Sequence, residues 1–168
     1  MGNGGVFSIT PSGTKSTLYS FAGGSSDGSV PGSALIQAGD GNLYGTTING
    51  GASNNGTVFK VSLSGTEAVV YSFAGGSDGA DPFGLIQGSD GNLYGTTSAG
   101  GAQGAGTVFR ITPSGTKTVL YSFAGGNSDG ASPASALVLA TDGNFYGTTY
   151  GGGAGNAGTV FKVTPNGA

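Results

Sequence analysis

The sequence lacks cysteine, histidine and tryptophan altogether among its 168 residues. Without cysteine, the chain can form neither a disulfide nor a thiolate metal site, and it has no thiol nucleophile. Without histidine, it lacks the residue most often used as a general base and as a transition-metal ligand. The composition therefore argues against a hydrolytic triad, and we expect no enzymatic activity and no cofactor.

Charged residues are scarce as well: five basic and eight acidic side chains give a net charge of −3. The five basic residues are scattered, whereas nucleic-acid binding needs clustered lysine and arginine to neutralise phosphates. No apolar run approaches the roughly 20 residues of a membrane span. The opening "MGNGGVFSIT" is not a signal peptide, so the export signal of a secreted protein would lie outside these residues. We expect neither nucleic acid nor membrane as a partner.

Glycine is abundant, with 38 copies, and an aperiodic chain of this composition would be expected to be disordered. The sequence is periodic, however. The motif "DGNLYGTT" occurs at 40–47 and 90–97 and returns as "DGNFYGTT" at 142–149. Phe7, Phe59, Phe109 and Phe161 follow one another at intervals of 52, 50 and 52 residues. The chain is therefore a tandem repeat with a unit of about 50 residues.

The rigid parts of the repeat alternate with period two, which indicates strands rather than helices. In "GTVFKV", Phe59 and Val61 share one face while Val58 and Lys60 share the other. Each Asp-Gly supplies the positive φ of a tight hairpin turn before the next strand. The stretch between Pro31, Pro82 or Pro133 and the following Asp-Gly varies in length, and the difference is assigned to a loop. Four short strands fit in each unit.

The first strand of each unit is rich in small residues, such as Ala34 and Ala38 on either side of Ile36. Small residues suit strands that converge on a central axis. The sequence therefore predicts an all-β fold, a β-propeller with four-stranded antiparallel blades of about 50 residues. A β-solenoid is the alternative, although its rungs are usually much shorter.

The chain is expected to form one repeat domain over residues 1–168, with a partial blade at 5–23, blades at 33–74 and 84–124, and a partial blade at 135–165. This division gives thirteen strands, or about three blades, whereas propellers have four to eight. We expect a homo-oligomer, most simply two chains in a six-bladed ring. In that ring the N-terminal fourth strand of one chain completes the last blade of the other, and one strand is surplus. The alternative is that the chain is an excerpt of a longer array.

Four motifs agree in order and spacing with a known family: "GTVFRITPSGT", "YSFAGG", an Asp-Gly before a proline, and "DGNLYGTT". The chain resembles the bacterial glycine-rich tandem repeat called GloVer, and its blades are more distantly similar to NHL repeats. The resemblance implies a propeller-like array from exported or surface-anchored bacterial proteins, hence a secreted or cell-surface location. It implies no known catalytic residues.

Aspartates are the remaining candidates for a metal site. Asp40, Asp90 and Asp142 belong to the hairpin turns, where aspartate caps the local backbone. A second recurring set, with one extra residue in the middle copy, is a candidate for Ca²⁺: Asp27, Asp78, Asp81 and Asp129. Ca²⁺ takes six to eight oxygen ligands, and one carboxylate in a loop supplies few of them, so turn formation is the preferred interpretation.

Three loops of constant length and variable side chain, at 48–56, 98–106 and 150–158, are candidates for recognition. Their amide and aromatic groups would suit a glycan, although turn chemistry alone also explains glycine-rich and asparagine-rich loops. The candidate ligand-binding residues are Ile48, Asn54, Ser98, Gln103, Tyr150 and Asn156.

Three functions remain in order of preference. The first is a non-catalytic structural or assembly scaffold, because the informative residues maintain the fold. The second is a carbohydrate-binding or protein-binding propeller that uses these loops. The third, a lactonase-like enzyme, would need acidic ligands converging on the central channel, where the inner strands carry leucine and glutamine, such as Leu35 and Gln37.

Overall fold

The computed structural model describes residues 2–168, where fifteen β-strands and two short 3₁₀ turns are the regular elements. The strands are β1 Gly5–Ile9, β2 Lys15–Ser20, β3 Gly28–Pro31, β4 Ile36–Gln37, β5 Leu43–Gly50, β6 Thr57–Val61, β7 Glu67–Ser72, β8 Ala80–Gln87, β9 Leu93–Ala99, β10 Thr107–Ile111, β11 Lys117–Ser122, β12 Gly130–Pro133, β13 Val138–Leu139, β14 Phe145–Gly152 and β15 Val160–Val163. The 3₁₀ turns are Gly76–Asp78 and Ala154–Asn156. The predicted all-β class is confirmed.

The strands form four antiparallel sheets in which neighbours along the chain are neighbours in space. β1 and β2 pair with each other, and β8, β9, β10 and β11 form one complete four-stranded sheet. In the sheets before and after it the innermost strand is split, into β3 and β4 and into β12 and β13. These two splits turn the thirteen predicted strands into fifteen.

The inner strands begin earlier than the sequence predicts. Pro31, Pro82 and Pro133 already lie in β3, β8 and β12, whereas the predicted blades begin after them, at 33, 84 and 135. Proline, which has no N–H to donate, is tolerated because these are edge strands. The residue before each proline has a φ between 53° and 59°, and its N–H donates to a carbonyl outside the strands of the preceding blade, at Asn3, Asn55 or Ala105. This contact between blades fixes the start of the inner strand.

The inner strands converge on one axis. A Cβ on Gly84 would lie only 2.6 Å from the Cβ of Ala136 in the next blade, so glycine is required for this close approach. A cavity of about 390 Å³ lies on the axis between segments 32–36, 83–85 and 134–136. Antiparallel sheets arranged around a shared axis make a β-propeller, which confirms the prediction and excludes the solenoid.

The core consists of the contacts between consecutive blades. Tyr44 and Val58 of the first full blade pack on Leu93 and Ile111 of the second, and all four are fully buried. At each of three successive contacts, a phenylalanine after the fourth strand meets the third-strand phenylalanine of the next blade edge to face. The pairs are Phe21–Phe59, Phe73–Phe109 and Phe123–Phe161, at 4.9, 5.2 and 5.0 Å between centroids.

The repeated glycine of the second strand makes room for one of these rings. A Cβ on Gly45 would lie 2.7 Å from the Phe59 ring, and Phe59 is its cross-strand partner in the same sheet. The Phe59 ring lies over Gly45 of its own sheet, and Phe21 of the preceding blade packs on this ring.

The first and last sheets each keep one apolar face uncovered. Phe7 and Ile9 are 55% and 63% exposed, whereas their repeat equivalents Phe59 and Val61 are fully buried. At the other end Val160 is 79% exposed, while its equivalent Val108 is fully buried. Exposure in this chain therefore depends on whether a neighbouring blade is present.

We predict that Phe109→Ala destabilises the chain by about 3–5 kcal/mol, because it removes a fully buried ring from a blade contact. The matched control, Phe7→Ala, removes the equivalent but half-exposed ring and should cost less than about 1 kcal/mol. Urea unfolding of dilute protein measures both values. Equal losses would contradict the dependence of the core on the neighbouring blade.

Candidate functional site

The polar side chains of the repeat gather where one blade meets the next, in clusters that we call joint clusters. Each contains the tyrosine of a fourth strand and the aspartate that leads into the next inner strand. The first holds Tyr19 and Asp27, the second Tyr71 and Asp78, and the third Tyr121 and Asp129. In the first two, a charged side chain from the fourth strand of the next blade completes the cluster: Glu67 or Lys117.

The aspartates of these clusters tie the end of one blade to the start of the next. Asp27 accepts hydrogen bonds from the Tyr19 hydroxyl at 2.9 Å and from the backbone N–H groups of Ala22 and Gly28, both at 2.6 Å. Asp129 accepts the same three kinds of bond, from the hydroxyl of Tyr121 and from two backbone groups, at 2.7–3.0 Å. Carboxylates with this many donors are satisfied by the fold itself.

The structure does not bring the four metal candidates together. Asp27, Asp78 and Asp129 lie in three different joints, and Asp81 lies within the inner strand β8 with a φ of 55°. Within residues 2–168, acidic side chains form no group of three or more that could hold a metal ion. Ca²⁺ binding at these residues stays a prediction, and the geometry favours the role in turns and joints.

In the second joint, Lys117 forms an ion pair with Asp78. Its Nζ lies 2.7 Å from Asp78 Oδ1, its side chain is only 3% exposed, and it also donates to the Asp78 carbonyl. The ammonium group lies 5.0 Å from the centre of the Phe73 ring and 5.7 Å from that of Phe109. Burial lowers the pKa of Lys117. Burial alone would raise the pKa of Asp78, but the hydrogen bonds it accepts, led by that from Lys117, bring it below its usual value.

Glu67 holds the equivalent position in the first joint with the opposite charge. It pairs across the strands with Val61, as Lys117 pairs with Ile111. Its Oε1 is buried and makes no hydrogen bond. Burial, reinforced by the negative charge of Asp27, raises the pKa of Glu67 to about 7. Burial and the hydrogen bond to Asp27 likewise raise the pKa of Tyr19 to about 12.

Glu67 and Lys117 were not among the residues predicted from the sequence. Their position is visible only when the repeats are aligned, because both lie six residues after the buried Val61 or Ile111. The Tyr–Asp pairs had a signal too, since each tyrosine precedes its aspartate by seven or eight residues. Sequence spacing alone does not show which blade the charged side chain will meet.

The hairpin aspartates have the predicted turn role. Asp40 accepts bonds from the Asn42 backbone and side chain and from the Tyr44 hydroxyl, at 2.9–3.0 Å. The same three bonds recur at Asp90 and at Asp142. Burial and the hydrogen bond to Asp40 raise the pKa of Tyr44 to about 12. The repeated "DGNLY" is thus a self-contained turn.

The six candidate ligand-binding residues lie in three separate loops. Asn54 and Asn156 have φ values of 55° and 56°, and each accepts a bond from a backbone N–H of its own loop, at 2.9 and 2.7 Å. Ile48 is partly buried beside Gly32. The remaining three differ in environment: Ser98 is partly buried, Gln103 is exposed and Tyr150 is 86% exposed. The asparagine oxygens therefore close the loops.

Comparisons with known proteins agree with this architecture. The sequence profile of the Gloeobacter/Verrucomicrobia repeat matches residues 1–168. No curated protein is significantly similar in sequence to the chain. No helix among residues 2–168 is long and apolar enough to cross a membrane.

Two solved structures share the fold. One is a virginiamycin B lyase from Staphylococcus aureus, made catalytically inactive by a histidine-to-alanine substitution and solved with quinupristin. It is 17% identical with a TM-score of 0.60, over 98% of this chain and 50% of the lyase. The other, assigned as a gluconolactonase, is also 17% identical, with a TM-score of 0.56 over 99% of this chain and 55% of that one. The chain thus spans about half the length of these structures.

We predict that Glu67→Gln removes a pH-dependent loss of stability. The folded-state pKa of Glu67, about 7, lies above its ordinary value of 4.5, so the folded chain binds more protons and loses stability as pH rises through this interval. The variant should therefore be as stable as the parent near pH 4.5 and more stable than the parent above about pH 7. We expect a gain of about 1 kcal/mol, reduced for solvent screening.

Thermal unfolding across this pH range measures the effect. Asp81→Asn, which alters a carboxylate outside the joint clusters, is the matched control and should follow the parent curve. Parallel curves for the parent and Glu67→Gln would contradict the assignment.

Proposed function

Because the chain belongs to the Gloeobacter/Verrucomicrobia repeat family, we propose that it is a non-catalytic β-propeller module that acts as a structural and assembly scaffold. The observation that carries the proposal is that the polar side chains form hydrogen bonds within the fold. The joint aspartates and the hairpin aspartates have their carboxylate oxygens engaged by donors of the fold. Side chains engaged in this way maintain blades and the contacts between them.

The absence of histidine supports a role without catalysis. The similar lyase is catalytically inactive once a histidine is replaced by alanine, and this chain has no histidine at all. The described residues that line the cavity on the propeller axis are glycine, alanine, serine and apolar residues, with no carboxylate among them. A lactonase-like site would need acidic ligands at that position.

We propose further that the scaffold self-associates, with two chains forming a six-bladed ring. The two uncovered apolar faces support this proposal, because each resembles a face that another blade buries elsewhere in the chain. Propellers commonly have four to eight blades, and six fall within this range. The proposed location, exported or at the bacterial cell surface, rests on the family resemblance.

A carbohydrate-binding or protein-binding role is the second candidate. The observation in its favour is Tyr150, which is 86% exposed and borders a cavity of about 420 Å³ with Ser135 and Thr148. An exposed aromatic ring beside hydroxyl groups is a surface on which a sugar can stack.

One set of measurements on purified protein distinguishes these functions. The scaffold predicts a mass of twice 16.0 kDa by light scattering, with no turnover of lactones or of quinupristin. Turnover that survives repurification would overturn the non-catalytic assignment, and a lone 16.0 kDa species would overturn self-association. A glycan array is the third arm: binding that Tyr150→Ala abolishes would favour the second candidate.

A further inference from the structure

The third joint contains a cavity where the other two joints contain a charged side chain. The cavity, of about 280 Å³, is lined by Val108, Tyr121, Phe123 and Asp129 on one side and by Phe161, Lys162 and Val163 of β15 with Gly167 and Ala168 on the other. At the second joint the equivalent residues Tyr71, Phe73 and Asp78 surround the side chain of Lys117. The third joint therefore offers a carboxylate and two aromatic rings that fit a lysine from a following fourth strand.

The hairpin of β1 and β2 carries that lysine in the required arrangement. Lys15 pairs across the strands with Ile9, in the register in which Lys117 pairs with Ile111. The Lys15 ammonium lies 4.6 Å from the centre of the Phe7 ring, as that of Lys117 lies over Phe109.

The same hairpin exposes the face that should contact a preceding blade. Phe7 is 55% exposed and Ile9 is 63% exposed, whereas their equivalents in the full blades are fully buried. The hairpin is thus a preformed copy of β10 and β11 without the blade that normally covers them.

We propose that the β1–β2 hairpin of a second copy of this chain docks into the third joint, takes the place of β15, and sets its Lys15 on Asp129. The inference rests on the proposed self-association and specifies its contact. Charge supports the pairing, because Asp129 would meet a lysine, as Asp78 meets Lys117. A glutamate there would reproduce the unfavourable pair of Glu67 and Asp27.

Replacement of β15, rather than addition beside it, follows from the equivalence of the two strands. β1 lies in "GVFSITPSG" and β15 in "GTVFKVTPNG", and both pair as third strands. Phe161 already contacts Phe123 at 5.0 Å, the position that Phe7 of the hairpin would need. Only one of the two rings fits. β15 is four residues long and pairs with β14 alone, whereas the hairpin arrives with both of its strands paired.

The two equivalent phenylalanines should therefore have opposite effects on association. Phe7→Ser weakens the incoming hairpin and should raise the dimer dissociation constant at least about tenfold. Phe161→Ser weakens the strand that competes with the hairpin and should lower this constant. Lys15→Glu should raise it at least about tenfold through repulsion by Asp129. Lys60→Glu, which reverses a charge on the central strand β6, is the matched control and should leave it unchanged.

Sedimentation velocity over a dilution series measures these constants, and circular dichroism checks that each variant is folded. Weaker association of Phe7→Ser and Lys15→Glu, with tighter association of Phe161→Ser, supports the proposal. If Lys15→Glu leaves the dimer dissociation constant unchanged, or if Phe161→Ser raises it, the proposed contact is overturned while self-association stands. A chain that stays monomeric at every concentration overturns both.

Discussion

Each blade of this molecule is apolar on both faces, and the structure depends on covering those faces with neighbouring blades. Phe59 and Val61 face the preceding blade while Val58 faces the following one, and all three are fully buried. A single four-stranded sheet could bury neither face alone. The repeat exists because each copy supplies the surface that its neighbour lacks. Where no neighbour is present, at Phe7 and Val160, the same positions are exposed.

The polar side chains at the joints satisfy the hydrogen-bonding groups that are buried when two blades pack together. The chain passes from one blade to the next at each joint. There the carboxylate of the joint aspartate accepts hydrogen bonds from a tyrosine hydroxyl and from backbone N–H groups, which would otherwise bond to water. Leaving such groups unpaired after burial would cost about 1–3 kcal/mol each. The charged residue added by the following blade varies, as Glu67 or Lys117, so the joints share a hydrogen-bonding frame but differ in charge.

Much of the fold could be predicted from the sequence, because period-two alternation and Asp-Gly turns are local signals. The turn of Asp40 with Asn42 and Tyr44 is complete within five residues. The start of the inner strand could not be predicted, because Asp81 is held by a carbonyl of Asn55 in the preceding blade. The Lys117–Asp78 pair spans 39 residues, and it depends on how two sheets stack. Local patterns do not carry this information.

The most direct test of the account is amide hydrogen exchange measured strand by strand, at a dilution where the chain is monomeric. If blades are stable because neighbours cover them, protection should be highest in β5, β6, β9 and β10 of the two blades covered on both faces, and lowest in β1, β2 and β15. Uniform protection across all four sheets would contradict the account, because it would mean that each sheet is stable without its neighbours.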